Sequence, residues 1–337
     1  MRQKYRIYIY TILMIIPLLI LFYISLYLFI YFNSDNFFLE DKVSKSINLK
    51  YRASQIDKLD YIFIGSSKTQ NHISTNKFKQ NGIEIYNYGR PGMFLKDFSF
   101  AVNEAVKYYP KYIVLSLDIS EIIGEQNIIK KLKFPTQFDY NFINSIEKEN
   151  TLKFISIQDR ISNEIRLKHL LFQFNQFIKN RFLVKKRLLY YDLEINNIDC
   201  NISYFRGTMK RTVFLCSNGD GFIVTNKFNG IKNSIIKWDT YKIDNINFKL
   251  LNKLIDFIKS HNIRPIIIFQ PRGYGIDYQY NNQIFQKINT KNIIDLTNKY
   301  NKDIELWADK YHFNYLGREK YSIMLLKLLN KNPNKNR

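Results

Sequence analysis

Short hydrophobic runs that alternate with helix-like segments are the feature that most constrains the fold of this chain. The runs are rich in β-branched and aromatic residues, which is typical of buried strands. Helical spacing is found over Phe94–Tyr109, Phe248–Ser260 and Tyr315–Leu329. The alternation predicts an α/β fold in which helices cover both faces of a parallel sheet, with the functional site at the carboxyl ends of the strands. The five predicted strands are Tyr61–Ile64, Ile83–Asn87, Tyr112–Leu117, Pro265–Phe269 and Asn292–Asp295.

The N-terminal segment carries no charged residue from Ile7 to Phe32. At about 1.5 Å per residue, a helix of this length spans the roughly 30 Å hydrocarbon core of a bilayer. The run ends in bulky apolar residues rather than in a small-residue cleavage site, so we expect it to remain as an anchor. Arg2, Lys4 and Arg6 precede it and acidic residues follow it. This charge bias predicts a cytoplasmic N-terminus and an extracytoplasmic remainder, periplasmic or on the cell surface.

The middle of the chain interrupts the alternation of strands and helices. Leu152–Leu188 has helical apolar spacing, and Asn218-Gly-Asp-Gly221 predicts a turn. We interpret this stretch as a mostly helical insertion, either a cap over the substrate or a second packed layer. Cys200 and Cys216 are the only cysteines of the sequence. They are able to form one disulfide outside the cytoplasm, and their spacing leaves the pairing open.

The patterns together predict a chain with one α/β domain that is divided by the insertion. A polar, charged stretch separates the anchor from this domain and reads as a stalk. The predicted layout is a cytoplasmic tip (1–6), a transmembrane anchor (7–32), a stalk (33–58), an α/β domain in two parts (59–121 and 242–331), the insertion or cap (122–241) and a tail (332–337).

The charge balance restricts the classes of partner. Lys and Arg number 51 against 29 Asp and Glu, a net charge of +22. The lysines are spread along the whole chain without a nucleic-acid-binding motif, and an extracytoplasmic domain does not meet nucleic acid. We therefore expect no nucleic-acid partner, and a membrane or an anionic polysaccharide remains as a partner class. No dinucleotide or phosphate-loop motif is found, and the histidines are scattered, so neither a cofactor nor a metal is predicted.

Two short motifs predict a serine nucleophile site. Gly65-Ser-Ser67 follows the first strand, and Asp309-Lys-Tyr-His312 precedes the last helix. A serine hydroxyl is a weak nucleophile unless an imidazole takes its proton and a carboxylate orients that imidazole. The interpretation assigns these roles to Ser67, His312 and Asp309, with Ser66 as the alternative hydroxyl. Each residue also has a structural alternative, because serine and aspartate cap helices and histidine is common at surfaces.

These motifs, together with Asn87-Tyr-Gly-Arg-Pro-Gly92 after the second strand, resemble the SGNH (GDSL-like) hydrolase superfamily. Within it the chain is most similar to the membrane-anchored branch that includes D-alanyl-lipoteichoic-acid transfer proteins and alginate O-acetylation proteins. The resemblance covers Tyr61–Leu117 and Pro265–Leu326. It implies a flavodoxin-like three-layer sheet, Ser67 as nucleophile, Asp309 and His312 as its partners, and an oxyanion hole formed by the backbone N–H groups of Ser67 and Gly92.

The third block of the family motif differs in this chain. Many members carry Gly-x-Asn-Asp there, with the Asn side chain as an oxyanion donor, whereas this chain reads Leu115-Ser-Leu-Asp118. Loss of one such donor typically costs roughly 10²- to 10³-fold in rate. Arg90 and Arg272 follow strand ends and are candidates to bind a carboxylate or phosphate of an acyl acceptor.

The leading hypothesis is a membrane-anchored serine esterase or O-acyltransferase that modifies a cell-envelope polysaccharide or polymer through an acyl-Ser67 intermediate. Its expected partners are the envelope polymer and a membrane-bound acyl-donor protein. The alternative is a non-catalytic, envelope-binding protein that keeps the fold, which the missing asparagine motivates. A third hypothesis is a lipid-handling hydrolase, suggested by an aromatic content of 16%.

Overall fold

The computed structural model forms an α/β structure around a central sheet. A 3-10 turn over Leu95–Asp97 precedes the helix that connects the second and third strands of this sheet. The helices are α1 (13–25), α2 (Lys42–Ala53), α3 (Ser67–His72), α4 (Thr75–Lys79), α5 (Phe98–Val106), α6 (Ser120–Ile123), α7 (Ile246–Ser260) and α8 (Tyr315–Lys331). The structure describes residues 10, 13–25, 42–123, 142, 183, 186–188, 190–191, 200, 202–208, 210–216, 218–225, 228–230, 234–238 and 246–331.

The central sheet has five parallel strands, as predicted. The strands are β1 (Tyr61–Gly65), β2 (Ile85–Asn87), β3 (Tyr112–Leu117), β8 (Arg264–Phe269) and β10 (Ile293–Asp295), so all five predicted strands are confirmed. Their order across the sheet is β2-β1-β3-β8-β10, which is the 2-1-3-4-5 order of flavodoxin-like folds. The register pairs Ile62 with both Tyr86 and Ile113, and Ile113 with Pro265.

Alternate residues of each strand enter two separate hydrophobic clusters, one on each face of the sheet. Ile62 and Ile64 of β1 lie in the cluster that α5 and α7 cover, whereas Tyr61 and Phe63 lie in the cluster that α8 covers. Every residue of β1 is buried. A strand that is buried on both faces reads as a continuous hydrophobic run, which is why these strands were visible in the sequence.

The described part of the insertion differs from the mostly helical one that we predicted. It contains a three-stranded antiparallel sheet of β4 (Ile202–Gly207), β5 (Arg211–Cys216) and β6 (Gly221–Thr225). The β5 and β6 segments are short and rich in β-branched and aromatic residues, which favours strands over helices. The predicted turn at Asn218–Gly221 joins β5 to β6, and Gly219 there has φ +91°.

A disulfide and a second, two-stranded sheet make further connections within and from the insertion. A disulfide joins Cys200 to Cys216 at the end of β5. A two-stranded parallel sheet pairs β7 (Ser234–Trp238) with β9 (Ile276–Tyr280), which links the insertion to the second half of the domain. The helical pattern over Leu152–Leu188 lies almost entirely outside the described residues.

Part of the segment predicted to be a stalk (33–58) is helix α2, which packs against the domain. Leu49 is buried in the cluster under α5, and Lys45 is also buried. The Lys45 ammonium donates to the carbonyl oxygens of Asn87 (3.0 Å) and Gly219 (2.5 Å), while its own carbonyl accepts from the Tyr86 hydroxyl (2.9 Å). Because the buried cation is satisfied by carbonyl groups, a segment that looks solvated in the sequence packs against the domain.

The predicted anchor at residues 7–32 lies only partly within the described residues. Residues 13–25 are helical, and their apolar side chains are largely exposed. Among the described residues, no helix has both the length and the apolar character needed to cross a bilayer. The rest of the predicted anchor, and residues 33–41, lie outside the described part of the chain.

A buried ion pair joins the turn between β5 and β6 to the last helix. The Arg318 guanidinium lies 2.6 Å from the Asp220 carboxylate, and both side chains are fully buried. The same carboxylate accepts from the backbone N–H of Thr75 at 2.9 Å and from its hydroxyl at 3.2 Å. Asp220 therefore connects the inserted sheet, α4 and α8 at one point.

We predict that Arg318→Met lowers the free energy of unfolding by about 3 to 5 kcal/mol, because it leaves the Asp220 carboxylate buried without its cation. The matched control is Glu319→Gln, next on the same helix. It removes a partly exposed ion pair with Lys77 (2.9 Å), and such pairs contribute at most about 1 kcal/mol. Denaturant unfolding of the purified protein measures both. Equal losses for the two variants would contradict the role assigned to the buried pair.

Candidate active site

The three residues of the predicted triad lie together at the carboxyl edge of the sheet. The Ser67 hydroxyl is 2.9 Å from Nε2 of His312. Nδ1 of the same imidazole is 2.9 Å and 3.0 Å from the two carboxylate oxygens of Asp309. Ser67 is the first residue of α3, two positions after the end of β1, and the other two residues lie in the loop before α8. The structure therefore brings together residues separated by 245 positions in the sequence.

The local backbone fixes both ends of the triad. Ser66 caps α3, with its hydroxyl accepting from the Lys68 N–H at 3.3 Å, so Ser66 has a structural role and Ser67 is the residue turned towards the imidazole. In the loop before α8, one oxygen of Asp309 accepts from the backbone N–H groups of Tyr311 (2.8 Å) and His312 (2.9 Å). This turn holds the carboxylate against the imidazole that it orients.

Arg211 is a site residue that the sequence reasoning missed. It lies on β5 of the insertion, and its guanidinium is 2.8 Å from Oδ2 of Asp309. Burial alone would raise the pKa of the Asp309 carboxyl. The hydrogen bond and charge of His312, the Tyr311 N–H and Arg211 outweigh burial and hold that pKa well below its ordinary value. Asp309 is thus ionised, which suits a group that stabilises an imidazolium.

His72 is a second residue that the sequence reasoning passed over. It lies on α3 and is fully buried. Its Nε2 accepts the backbone N–H of Phe313 at 3.1 Å, and the two rings are 4.3 Å apart. Burial and the neighbouring His312 hold the pKa of His72 well below its ordinary value, so the ring stays neutral and accepts this hydrogen bond. His72 therefore positions the segment that carries His312. In the sequence, the only sign of this role is a histidine five residues after Ser67.

A cavity of about 380 Å³ opens beside the serine. Gly92 and Ser67 both line it, and Gly92 has φ +67°, a backbone conformation that glycine adopts most readily. The oxyanion role of Gly92 stays a prediction. Arg90 is not among the described residues that line the cavity, and its backbone N–H donates to the Gly65 carbonyl at 2.9 Å. The other lining residues are Ser66, Lys68, Phe94, Asp118, Ser120, Glu121, Arg272, Tyr311 and His312.

Asp118 is the centre of a charged network on the cavity wall. Its Oδ2 atom is 2.8 Å from the Lys68 ammonium and 2.6 Å from the Arg272 guanidinium. Burial disfavours the charged carboxylate, but the two cations outweigh it and hold the pKa of Asp118 well below its ordinary value. Asp118 is thus an ionised group that accepts hydrogen bonds on the cavity wall. Arg272 also lines the cavity, with its guanidinium in this ion pair, and its predicted role in binding an acyl acceptor stays a prediction.

Glu121 lies behind this network. Its carboxylate accepts the backbone N–H groups of Leu95 (2.6 Å) and Asp118 (3.0 Å), which fixes the loop that follows β3. Burial, helped by the nearby Asp118 charge, raises the pKa of Glu121 to about 7, although the two N–H donors act in the opposite direction. Glu121 is therefore a buried acid that titrates near neutral pH.

We predict that the pH dependence of stability changes when Glu121 is replaced by Gln. The pKa of Glu121 is raised in the folded state, from 4.5 to about 7. The protonated acid thus contributes stability that is complete below pH 4.5 and is lost as the pH rises to about 7, at roughly 1.4 kcal/mol per pH unit. Unfolding of wild type and Glu121→Gln, measured across this range, should show this loss only in the wild type. Parallel pH profiles would contradict the assignment.

Among the described residues, no group of three or more His, Cys, Asp or Glu side chains is placed to hold a metal ion. Comparisons with known proteins give no further guide to the chemistry. No protein-family model matches the chain, and no curated protein or solved structure matches it. The features that bear on function are therefore the arrangement of Ser67, His312 and Asp309 and the cavity beside them.

Proposed function

We propose that this chain is a membrane-anchored, extracytoplasmic serine esterase or O-acyltransferase that modifies a cell-envelope polysaccharide or polymer. The observation that carries the proposal is the continuous hydrogen-bonded chain from the Ser67 hydroxyl through His312 to Asp309. A structural cap or a surface histidine does not require this geometry, whereas an activated serine does. The resemblance to SGNH hydrolases supports the same assignment and the same fold type.

The first half of the proposed reaction transfers the acyl group to the enzyme. The Ser67 oxygen attacks the ester carbonyl carbon while Nε2 of His312 takes the hydroxyl proton. The ionised Asp309 stabilises the imidazolium that forms. The tetrahedral intermediate then collapses, the bond to the leaving alcohol breaks, and His312 returns the proton to that alcohol. Acyl-Ser67 remains.

The oxyanion of the intermediate needs donors in the cavity. The backbone N–H groups of Ser67 and Gly92 fill this role in our proposal. The ionised Asp118 accepts hydrogen bonds and cannot replace the missing asparagine donor. With one donor fewer, we expect a reaction slower by roughly 10²- to 10³-fold than in a site with three donors.

The second half of the reaction decides between hydrolysis and transfer. His312 takes a proton from water or from a sugar hydroxyl, whose oxygen attacks the acyl carbon. The bond from that carbon to the Ser67 oxygen then breaks, and His312 returns the proton to Ser67. The two outcomes differ only in the acceptor. The predicted membrane anchor favours transfer, because acyl groups for envelope modification must be delivered across the bilayer, which requires a membrane-bound acyl-donor protein.

A second candidate function is a non-catalytic protein that binds the envelope polymer with the same fold. The observation that favours it is that Leu117 stands where the resembled family carries the oxyanion-donating asparagine, while the following Asp118 is held in ion pairs with Lys68 and Arg272. This alternative predicts that the triad has no bearing on the phenotype of the organism. The catalytic proposal predicts that Ser67→Ala is equivalent to deletion.

We predict that a fluorophosphonate probe labels the detergent-solubilised wild type and fails to label Ser67→Ala and His312→Ala. The probe reacts only with a serine that an imidazole activates. The matched control is Ser66→Ala, which removes the neighbouring hydroxyl and leaves the triad intact. Labelling lost only in Ser66→Ala would move the nucleophile to Ser66. A folded wild type that reacts with neither this probe nor small acetyl esters would support the non-catalytic alternative.

We further predict that substitutions of Asp309 and Arg211 lower the rate of fluorophosphonate labelling by different factors. Asp309→Asn should lower the labelling rate by about 10⁴-fold, because the imidazole then adopts the wrong tautomer. Arg211→Met should lower it by a much smaller factor, since it removes a neighbour of Asp309 and leaves the carboxylate on the imidazole. Initial labelling rates measure both. A larger loss for Arg211→Met than for Asp309→Asn would contradict the role of Asp309.

A further inference from the structure

The path of helix α2 determines which edge of the domain lies near the predicted anchor. The Lys45 ammonium, in the first half of α2, binds the carbonyl of Asn87 at the carboxyl end of β2. The Asn87 side chain in turn donates to the Thr69 carbonyl (2.9 Å) in α3, the helix that begins with Ser67. Helix α2 then runs towards the opposite edge, where the Leu59 carbonyl accepts the Lys111 N–H ahead of β3. The chain thus enters the domain at the edge that holds the candidate site.

The length of chain before α2 limits the distance of this edge from the membrane. Nine residues, or ten Cα-to-Cα steps, lie between Phe32, the end of the predicted anchor, and Lys42, the start of α2. A fully extended segment of this length spans at most about 35 Å. The opposite edge of the sheet lies farther along the chain by the length of α2, about 18 Å for its twelve residues.

The mouth of the cavity has the chemistry of a membrane interface. Two of its lining residues are exposed aromatics, Phe94 (43%) and Tyr311 (38%). The Lys96 ammonium lies 5.9 Å from the centre of the Phe94 ring, and the Lys310 ammonium 5.4 Å from that of Tyr311. We call these four residues the rim. Aromatic rings accompanied by lysines are the combination that favours the headgroup region of an anionic bilayer.

The acidic residues of the cavity do not oppose such a contact. Asp118 and Glu121 are the acidic residues among the described lining, and both are buried. The Asp118 charge is compensated by Lys68 and Arg272. The Asp309 carboxylate of the triad is partly exposed, and its charge is compensated by Arg211 at 2.8 Å. The lining residues that reach the surface at the mouth of the cavity are therefore aromatic, with lysines beside them.

We propose that the rim docks on the anionic lipid surface of the bilayer that holds the anchor, so that the candidate site faces the membrane. The docking depends on the predicted anchor and on the rim. Its consequence for the substrate rests on the proposed function: the acyl group that reaches Ser67, or the polymer that receives it, is presented at the lipid surface rather than from bulk solution.

The opposite edge of the sheet provides a matched control. There, a second cavity of about 400 Å³ is lined by Lys58, Lys111 and Arg264 and by Tyr109, which is 68% exposed. This surface is also aromatic and basic, so composition alone does not distinguish it from the rim. Only the path of α2 indicates which of the two edges faces the membrane. An experiment that compares the two edges therefore tests the orientation separately from the effect of composition.

The experiment uses the full-length protein in nanodiscs that contain phosphatidylglycerol and a lipid with a nitroxide on its headgroup. A bimane fluorophore is attached to a single introduced cysteine in Phe94→Cys, Tyr311→Cys or Tyr109→Cys. The native cysteines are joined in a disulfide and do not compete for the label. Each rim variant removes one aromatic ring and leaves the other in place.

We expect bimane at 94 and 311 to lose most of its emission to the headgroup nitroxide, and bimane at 109 to keep nearly all of it. Discs of zwitterionic lipid alone should weaken the quenching at the rim. Equal quenching at the three positions, stronger quenching at 109, or rim quenching that is unchanged without anionic lipid would overturn the proposal. Fluorophosphonate labelling of wild type in the same discs separates the two proposals, because it reports on Ser67 irrespective of orientation.

Discussion

The parallel direction of five strands is the constraint on which the rest of the structure depends. Because all the strands end at one edge, the residues that follow β1, β2, β3 and β8 meet there although they are far apart in the sequence. Ser67, Gly92, Asp118 and Arg272 line one cavity for this reason. The loop before α8 adds His312 to the same edge, so the sheet supplies the serine and the last loop supplies its base.

Two ion pairs, one partly exposed and one fully buried, then connect the insertion to this edge. Arg211 of β5 binds Asp309, and Asp220 of the following turn binds Arg318 in α8. The inserted antiparallel sheet is therefore attached to both the candidate triad and the core helix beside it. The described part of the insertion therefore contacts the candidate site directly, and its predicted role, as a cap or as a second packed layer, stays a prediction.

The sequence predicted the central strands because burial on both faces makes them continuous apolar runs, and it predicted the triad because Gly65-Ser-Ser67 and the Asp309–His312 pair are local motifs. Arg211 was beyond reach, since its partner lies 98 positions away and no local pattern marks it. The antiparallel strands were missed because the helical spacing of Leu152–Leu188 was extended to the whole insertion. Helix α2 was missed because a buried lysine that binds carbonyl groups looks solvated in the sequence.

The central claim is that an acyl group is carried on Ser67. Its most direct test is to incubate the purified wild type with an activated acetyl ester, quench in acid, and map the acetylated peptide by mass spectrometry. The account predicts acetyl on Ser67, accumulating in the wild type because transfer to water is slow, and absent from a folded Ser67→Ala protein. Acetyl on Ser66, or a folded wild type that turns over the ester and carries no acetyl group on any serine, would contradict it.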